Sequence, residues 1–494
     1  MSKLNFGYVP LTFISEKQEI KKQIRNTLIL IHLFEKYNSP VRLENLIEGT
    51  QYGYNASALQ SGKNKFLRIS DIHESKVNWD SVPYCNCDDE ETYLLKNEDI
   101  LIARTGGTTG KSFKIDSPPK HSIYAGYLIR IRAKKEVNPD YIYLFLHSFA
   151  YWSQIVNLNE RNFRPKANAE NLKSLILPDC ERSIQDEAVR ISQGEKIKGY
   201  EDLYSEIEKA LSEYDKTQQV ENLLSHQLTL LENLNQAILQ EAVQGKLVQQ
   251  DPKDEPASEL LKRIEAEKAK SGKKEKPLPP IKPEEIPFEI PSTWVWCRLG
   301  EIIEYTDNLD IQKHLSPDTI INYVDIDAID NHNFVIREAK QKTVRELSTR
   351  ARRVLKPNFI AYSTVRPYLK NIAVIEDDLE NYIGSTGFNV FKTLNVELKY
   401  AFYYLLTPYV NNSFKDLMVG FNSPSITNDQ FEKSLFPLPP LSEQKRIVAE
   451  IEKQLAKTKQ LKEHIIANQQ ATEQLLKALL HQAFEVEEME AVNS

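Results

Sequence analysis

No run of apolar residues in this chain approaches the ~18 needed to cross a bilayer, which excludes a membrane-spanning helix. Met1 to Pro10 lacks a basic stretch followed by an apolar core and a small-residue cleavage site, so a secretory signal is not expected and a cytoplasmic location is. Cysteine is scarce, with four in 494 residues. Cys85 and Cys87 lie too close together, and Cys180 and Cys297 too far away, to form a paired zinc-ligand pattern, so structural or surface thiols are expected. The nine histidines are scattered without a His-Glu-x-x-His arrangement, and no metal site is expected. A net charge of −7, from 63 basic and 70 acidic residues, argues against a surface that binds polyanions everywhere and leaves room for local basic patches.

Catalytic signatures are missing too. The segment Arg104 to Ser112 ends Gly-Lys-Ser, but Thr105 stands where a phosphate-binding loop needs its first glycine. The alternative is a strand-to-strand turn that presents Arg, Thr and Lys to a polyanion. Amino-group methylation of a base requires Asn or Asp before Pro-Pro and an aromatic after it. Ser117 to Lys120, Leu278 to Ile281 and Leu438 to Leu441 all fail that pattern, and no glycine-rich cofactor fingerprint follows a strand.

What the chain has is a long-period repeat. Pro165, Leu172, Pro178 and Gln185 return as Pro424, Phe431, Pro437 and Gln444, each pair separated by the same step of 259 residues. A period of that length means two copies of a domain-sized unit rather than a solenoid. The copies can be followed outward: Arg42-Leu43 is echoed by Arg298-Leu299, Phe66 to Ile72 by Ile321 to Ile326, and Asp99 to Thr105 by Asn358 to Thr364. These short β-branched runs bounded by Asn, Gly or Pro predict buried strands, and the aromatic stretches Tyr141 to Leu146 and Tyr400 to Leu405 predict helices. Each copy is thus a mixed α/β globule.

Long helices follow each globule. Leu224, Leu228, Leu231, Ile238 and Ala242 fall at steps of four and three, with polar Asn235 occupying one turn, which is coiled-coil spacing. Gly194 and Gly199 predict a break before this helix. In the second copy Ser442 is the expected N-cap, with Glu443 in the first turn and a seam through Leu461, Ile465, Asn468, Thr472, Leu475 and Leu479. Between the copies, Asp251 to Pro291 reads as a semi-rigid Pro-rich connector preceded by a short solvated helix from Ser258 to Lys270. Residues 15–37 predict an amphipathic helix that docks on one of the rods. The expected divisions are an N-terminal extension (1–40), a first globule (41–183), a central helix (184–250), the connector (251–290), a second globule (291–440) and a distal helix (441–494).

Basic residues concentrate in matching places of the two copies and mix with Asn, Ser, Thr and Tyr, the types that contact phosphates and base edges. The candidate DNA contacts are Lys63, Lys65, Arg68, Arg104, Thr105, Lys111, Arg161, Asn162, Arg164 and Lys166 in the first copy. In the second they are Lys340, Lys342, Arg345, Arg350, Arg352, Arg353, Arg366, Tyr368, Lys370, Asn422 and Ser423. The bland alternative for each is a solvated surface charge.

The segment Leu435 to Val448, reading LFPLPPLSEQKRIV, resembles the signature that joins a target-recognition domain to a conserved helix in the DNA specificity subunits of type I restriction-modification systems. Ile100 to Gly106, Ser363 to Leu369 and Ile238 to Val248 also look like sequences of this family. The resemblance implies an α+β fold, with two α/β target-recognition globules separated by two long antiparallel coiled-coil helices. It implies that each globule reads one half of a split, asymmetric double-stranded DNA site, and that the chain itself catalyses nothing. Two modification (methyltransferase) subunits and two restriction (translocase-nuclease) subunits would be its partners. S-adenosylmethionine would belong to the former, and ATP with Mg²⁺ to the latter. The first copy departs from the pattern, because Leu175 to Gln185 is a degraded form of the Pro-rich signature. The other reading of the chain is a two-headed coiled-coil adaptor or a solitary specificity subunit without DNA-targeting activity of its own.

Overall fold

The computed structural model describes residues 17–484 apart from 74–75, 106–107, 158–166, 271–276 and 377–380. The chain divides into two compact units, Met1–Leu224 with Asn468–Ser494, and Ser225–Ala467. Both divisions fall inside the long helices, so each unit holds one globule and a stretch of each rod.

In the first unit the all-buried run Ile100–Ala103 forms an inner strand of an antiparallel sheet ordered Ile47–Tyr52, Leu128–Ala133, Ile100–Ala103, Ser112–Lys114. A smaller sheet pairs Asn64–Leu67 in parallel with Ser122–Tyr124. A two-stranded clasp closes the globule, in which Pro40–Arg42 runs antiparallel to Ile176–Pro178. Helix Pro139–Leu146 starts where Asn138 accepts from the Asp140 backbone NH with Pro at the first turn, an arrangement that satisfies donors left over at a helix start.

The second unit repeats this plan. Its main sheet is ordered Ile303–Tyr305, Phe388–Thr393, Phe359–Ser363, Ile372–Ile375, and Ile320–Val324 runs parallel to Tyr382–Ser385. Its clasp pairs Val295–Arg298 with Leu435–Leu438. The repeat reaches the level of single hydrogen bonds. Gln185 accepts from the Asn138 NH at 2.8 Å and donates to the Cys180 carbonyl at 2.8 Å. Gln444 does the same with the Glu397 NH and the Pro439 carbonyl, both at 2.8 Å. The hydroxyls of Tyr141 and Tyr400 donate to the carbonyls of Pro178 and Pro437 at 2.8 and 2.9 Å. All these residues keep the step of 259, whereas the ladder pairs Ala103 with Leu128 and Ser363 with Phe388 are 260 apart, one residue out of register.

The predicted break stands: helix Arg182–Ser192 ends, Gly194 and Gly199 take φ of +95° and +93°, and the long helix Glu201–Val243 begins. In the second unit this helix lies antiparallel to helix Leu441–Phe484, since Asn235 meets Thr458 at 2.6 Å while Gln250 meets Glu443 at 2.6 Å. Its predicted seam is the face that is covered, with Leu224, Ile238 and Ala242 buried.

Four expectations need correction. The distal helix buries Ile447, Ile451, Thr458 and Leu476, while Leu461, Asn468 and Leu475 of the expected seam are exposed, Leu475 at 54% and Leu476 at 2%. The side chain of Leu479 lies outside the described residues. Ser442 sits inside the first turn and donates to Asp254 at 2.7 Å instead of capping. Beside it Glu443 is buried, accepts from Trp294 Nε1 at 3.0 Å and from Gln250, and its carboxyl pKa is pushed up by desolvation.

The connector helix, Ala257–Lys270, is not solvated all round, because Ala257, Leu260 and Ile264 bury one stripe in the core of the second unit. The chain around it is tied down by Asp254 to Arg446 at 2.6 Å and by Arg298 to the Pro279 and Pro280 carbonyls at 3.1 and 3.2 Å. Finally, helix Lys17–Tyr37 forms, but it docks chiefly on the globule. Ile24, Leu28, Ile29 and Leu33 join the first core, and Asn26 donates to the carbonyls of Leu144 and His147 at 3.2 and 2.8 Å. The expected dock on the long helix is present in part: Leu203, Ile207 and Tyr214 of that helix belong to the same core, and Lys21 pairs with Asp215 at 2.6 Å.

Candidate nucleic-acid interface

The predicted contacts fall into three groups. The first is brought together from two distant segments. In the loop after strand Phe359–Ser363, Arg366 and Lys370 both adopt left-handed φ, +49° and +53°, around the short turn Pro367–Leu369. This holds the loop against residues 419–425: the Arg366 NH donates to the Pro424 carbonyl at 2.8 Å and its guanidinium to the Asn422 carbonyl at 2.9 Å. Arg366, Tyr368, Asn422 and Ser423 therefore share one exposed tip. Lys370 is in the same loop but turns away. It is half-buried, reaches Gln236 Oε1 at 3.5 Å, and burial lowers its pKa. It lines a cleft of about 1300 Å³ within the second unit, shared with Leu231, Asn235, Arg337 and Tyr403.

The equivalent tip of the first unit carries Arg104 and Thr105. The Ala167 NH donates to the Arg104 carbonyl as the Ile426 NH does to that of Thr364, at 3.1 and 3.0 Å, so Arg104 occupies the place of Thr364. The Arg104 guanidinium lies 4.8 Å above the Tyr52 ring, and the Arg104 backbone NH donates to the carbonyl of Tyr127, whose side chain is exposed. Lys111 is exposed nearby. Arg161, Asn162, Arg164 and Lys166 lie outside the described residues.

The second group consists of cations paired with carboxylates, Asp327 and Asp318 exposed and Asp310 half-buried. Lys340 meets Asp327 at 2.8 Å, Arg345 pairs with Asp318, and Arg352 is 3.6 Å from Asp310 while donating to the Thr349 carbonyl. Lys342 is half-buried on strand Lys340–Thr343, and Arg350 is exposed in the turn just before strand Ala351–Val354. Exposed pairs are worth about 0–1 kcal/mol, so a phosphate can displace such a carboxylate at little cost.

The third group is used internally. Lys65 donates to the Val82 carbonyl at 3.1 Å and lies 4.3 Å over the Tyr84 ring, and Arg68 forks onto Asp71 at 2.7 and 3.1 Å. Lys63 reaches the Cys87 carbonyl at 3.5 Å and Glu90 at 3.7 Å. Arg353 is half-buried with Nε lacking a partner, and desolvation lowers its pKa. The residue-type argument passed over Tyr52, Tyr127 and Phe421, apolar-bodied side chains at the tips. The available signal was their place, beside Gly53, Gly126 and Gly420 respectively and next to a flagged basic loop.

Among the described residues no group of His, Cys, Asp and Glu could hold a metal ion, and no helix is long and apolar enough to cross a membrane. The four cysteines are unpaired, three of them buried.

The sequence model of the type I restriction modification DNA specificity domain matches the chain twice, over residues 42–222 and 291–468. The chain belongs to this family. As a family member it is 36% identical over 254 residues to the type I restriction enzyme EcoAI specificity subunit of Escherichia coli, a match covering 46% of this chain and 40% of that protein. It is 61% identical over 82 residues to the EcoEI specificity subunit of Escherichia coli, covering 16% and 14% respectively. The chain thus spans less than half the length of each of these two curated relatives. The fold resembles a chain in a solved structure concerned with complex assembly and conformational transition of the type I R-M system, with a TM-score of 0.50 at 16% identity over 90% of this chain and 97% of that one. The two matched stretches of the specificity family each contain the tip described above; the second contains its whole clasp, and the first begins at Arg42, the last residue of its first clasp strand.

Proposed function

We infer that the chain is the DNA-reading subunit of a type I restriction-modification complex and performs no chemistry itself. Each globule sets its tip into a groove over one half of a bipartite site, where major-groove donor and acceptor patterns distinguish all four base pairs. Arg and Lys fix the register on phosphates. The observation that carries this reading is the double family match on two copies closed by the same hydrogen bonds but ending in different tips, Arg104-Thr105 with Tyr127 against Arg366, Tyr368 and Asn422. Different tips read different half-sites, so the site lacks symmetry. The antiparallel helices act as the spacer and offer docking surfaces to two modification subunits, with two restriction subunits added in the full assembly. S-adenosylmethionine is a ligand of the modification subunits, and ATP with Mg²⁺ of the restriction subunits.

The deciding experiment is methylome sequencing of the host with and without this gene. A split, asymmetric adenine-methylation motif should vanish on deletion, and an unchanged methylome overturns the reading. Removing the facing heptads 226–232 and 461–467 together should shorten the spacer by about 10 Å, roughly three base pairs, and leave both half-sites intact. Altered half-sites with an unchanged gap would rule out the helices as the ruler. Arg366→Ala should lower affinity across sequences about three- to tenfold and reduce the slope of log K against log salt by about one, measured by anisotropy in the assembled complex. An unchanged slope removes Arg366 from the interface.

A further inference from the structure

We propose that Phe421 is an apolar wedge that enters the base stack of the half-site read by the second globule, so that this half-site is recognised partly through its ease of distortion. The proposal rests on the DNA-reading function above. Phe421 is 102% exposed, more than any other large apolar side chain of the described residues, and Val419 and Tyr368 beside it are also exposed. Leaving a phenyl ring fully in water forfeits the burial that normally stabilises such a side chain.

The ring is nonetheless held out on a braced support. Val419 and Ser425 exchange two backbone hydrogen bonds of 3.0 Å, Gly420 takes φ of +110°, and Arg366 ties the strand from both sides through the Asn422 and Pro424 carbonyls. A side chain on a fixed support loses little backbone freedom when it inserts, which is what a wedge requires.

The charge around it selects the occupant. Neither 364–370 nor 417–425 contains an acidic residue, in a chain whose net charge is −7; exposed Asp416 precedes the second segment next to exposed Lys415, and the Arg366 guanidinium donates to the carbonyl of Asn422, the residue after Phe421. A protein hot spot would be served equally well by an acidic or neutral surround, whereas a polyanion is favoured by this one. Apolar wedges flanked by cations unstack a base step and bend the duplex, and pyrimidine–purine steps yield most readily. The half-site read by this globule should therefore contain such a step at the contacted position.

The test uses the full chain assembled with the modification subunit of its host and a duplex carrying the methylome-derived motif. 2-Aminopurine is placed singly along the second half-site, omitting the methylated adenine, whose base leaves the stack during catalysis. Wild-type complex should brighten one position about threefold, and Phe421→Ala should abolish that signal and weaken binding about tenfold, within the range for a base–aromatic contact. Phe421→Trp should retain both, and the melting temperature should be unchanged because the ring touches no core. Unchanged fluorescence and affinity in Phe421→Ala overturn the wedge while leaving the DNA-reading function standing. Release of the modification subunit from Phe421→Ala with the fluorescence intact also overturns it, and makes Phe421 a protein contact. If wild-type complex fails to distinguish the motif from a scrambled duplex, the DNA-reading function itself has failed.

Discussion

Gln185→Ala and Gln444→Ala should each destabilise their own globule by about 2–3 kcal/mol, and by nearly equal amounts, although they lie 259 residues apart. Both amides are buried and both bridge a backbone NH to a carbonyl, Asn138 to Cys180 in one case and Glu397 to Pro439 in the other. Truncation leaves a donor and an acceptor without a partner in a dry environment, and an unsatisfied buried group costs about 1–3 kcal/mol. A Gln→Glu change keeps the acceptor and, while the carboxyl is protonated at low pH, an O–H donor as well, so it should fall between wild type and Ala there and lose more stability once the carboxyl ionises. Denaturant titration of the single variants checks this. A large loss at one position with none at the other would mean that the two copies share sequence here without sharing the energetics.

Phe431→Ala should be more severe. The ring is fully buried, with its centroid 5.2 Å from Tyr362, 5.5 Å from Phe391 and 5.9 Å from Phe414, an aromatic cluster beneath the strand that leads to the Arg366 loop. Removing a core phenyl costs about 3–5 kcal/mol, a large share of the stability of a domain of this size. Because the strand Phe359–Ser363 rests on this cluster, the half-site of the second globule should be lost from the methylome at physiological temperature. Phe431→Leu, which is the residue at the matching position Leu172, should recover most of the stability. An unshifted denaturation curve for Phe431→Ala would contradict the packing described here.

How much of this was legible depended on whether neighbours in sequence carried the signal. Strand Ile100–Ala103 was readable because a continuous apolar β-branched run suits a strand buried on both faces, and the first helix because its apolar residues recur at the coiled-coil steps. The distal helix misled because Leu461 and Leu475 are apolar yet face outward, while the covered face runs through Thr458, which is satisfied by Asn235 across the pair. The connector helix misled for the opposite reason: its charges are many, but Ala257, Leu260 and Ile264 at steps of three and four suffice to dock it.

At the candidate interface the residue types drew attention to the loop around Arg366 and could not show which cations already have partners within the chain. The partners of Lys65 and Lys370 are set by tertiary closeness, as when Gln236 of the long helix meets Lys370 from 134 positions away, whereas Arg68 is held by Asp71 only three residues on.

The clasps have a genetic consequence. Because Pro40–Arg42 is bonded to Ile176–Pro178, and Val295–Arg298 to Leu435–Leu438, each globule begins and ends at one place, with its tip loops carried between. Crossovers in the codons of the clasp strands would transplant a whole globule between alleles while leaving intact the bonds of Gln185 and Gln444 to the Cys180 and Pro439 carbonyls just beyond; their second bonds, from the Asn138 and Glu397 NH groups, are re-formed with the incoming globule. A lineage carrying such alleles could acquire a new target in one recombination event rather than through many point mutations.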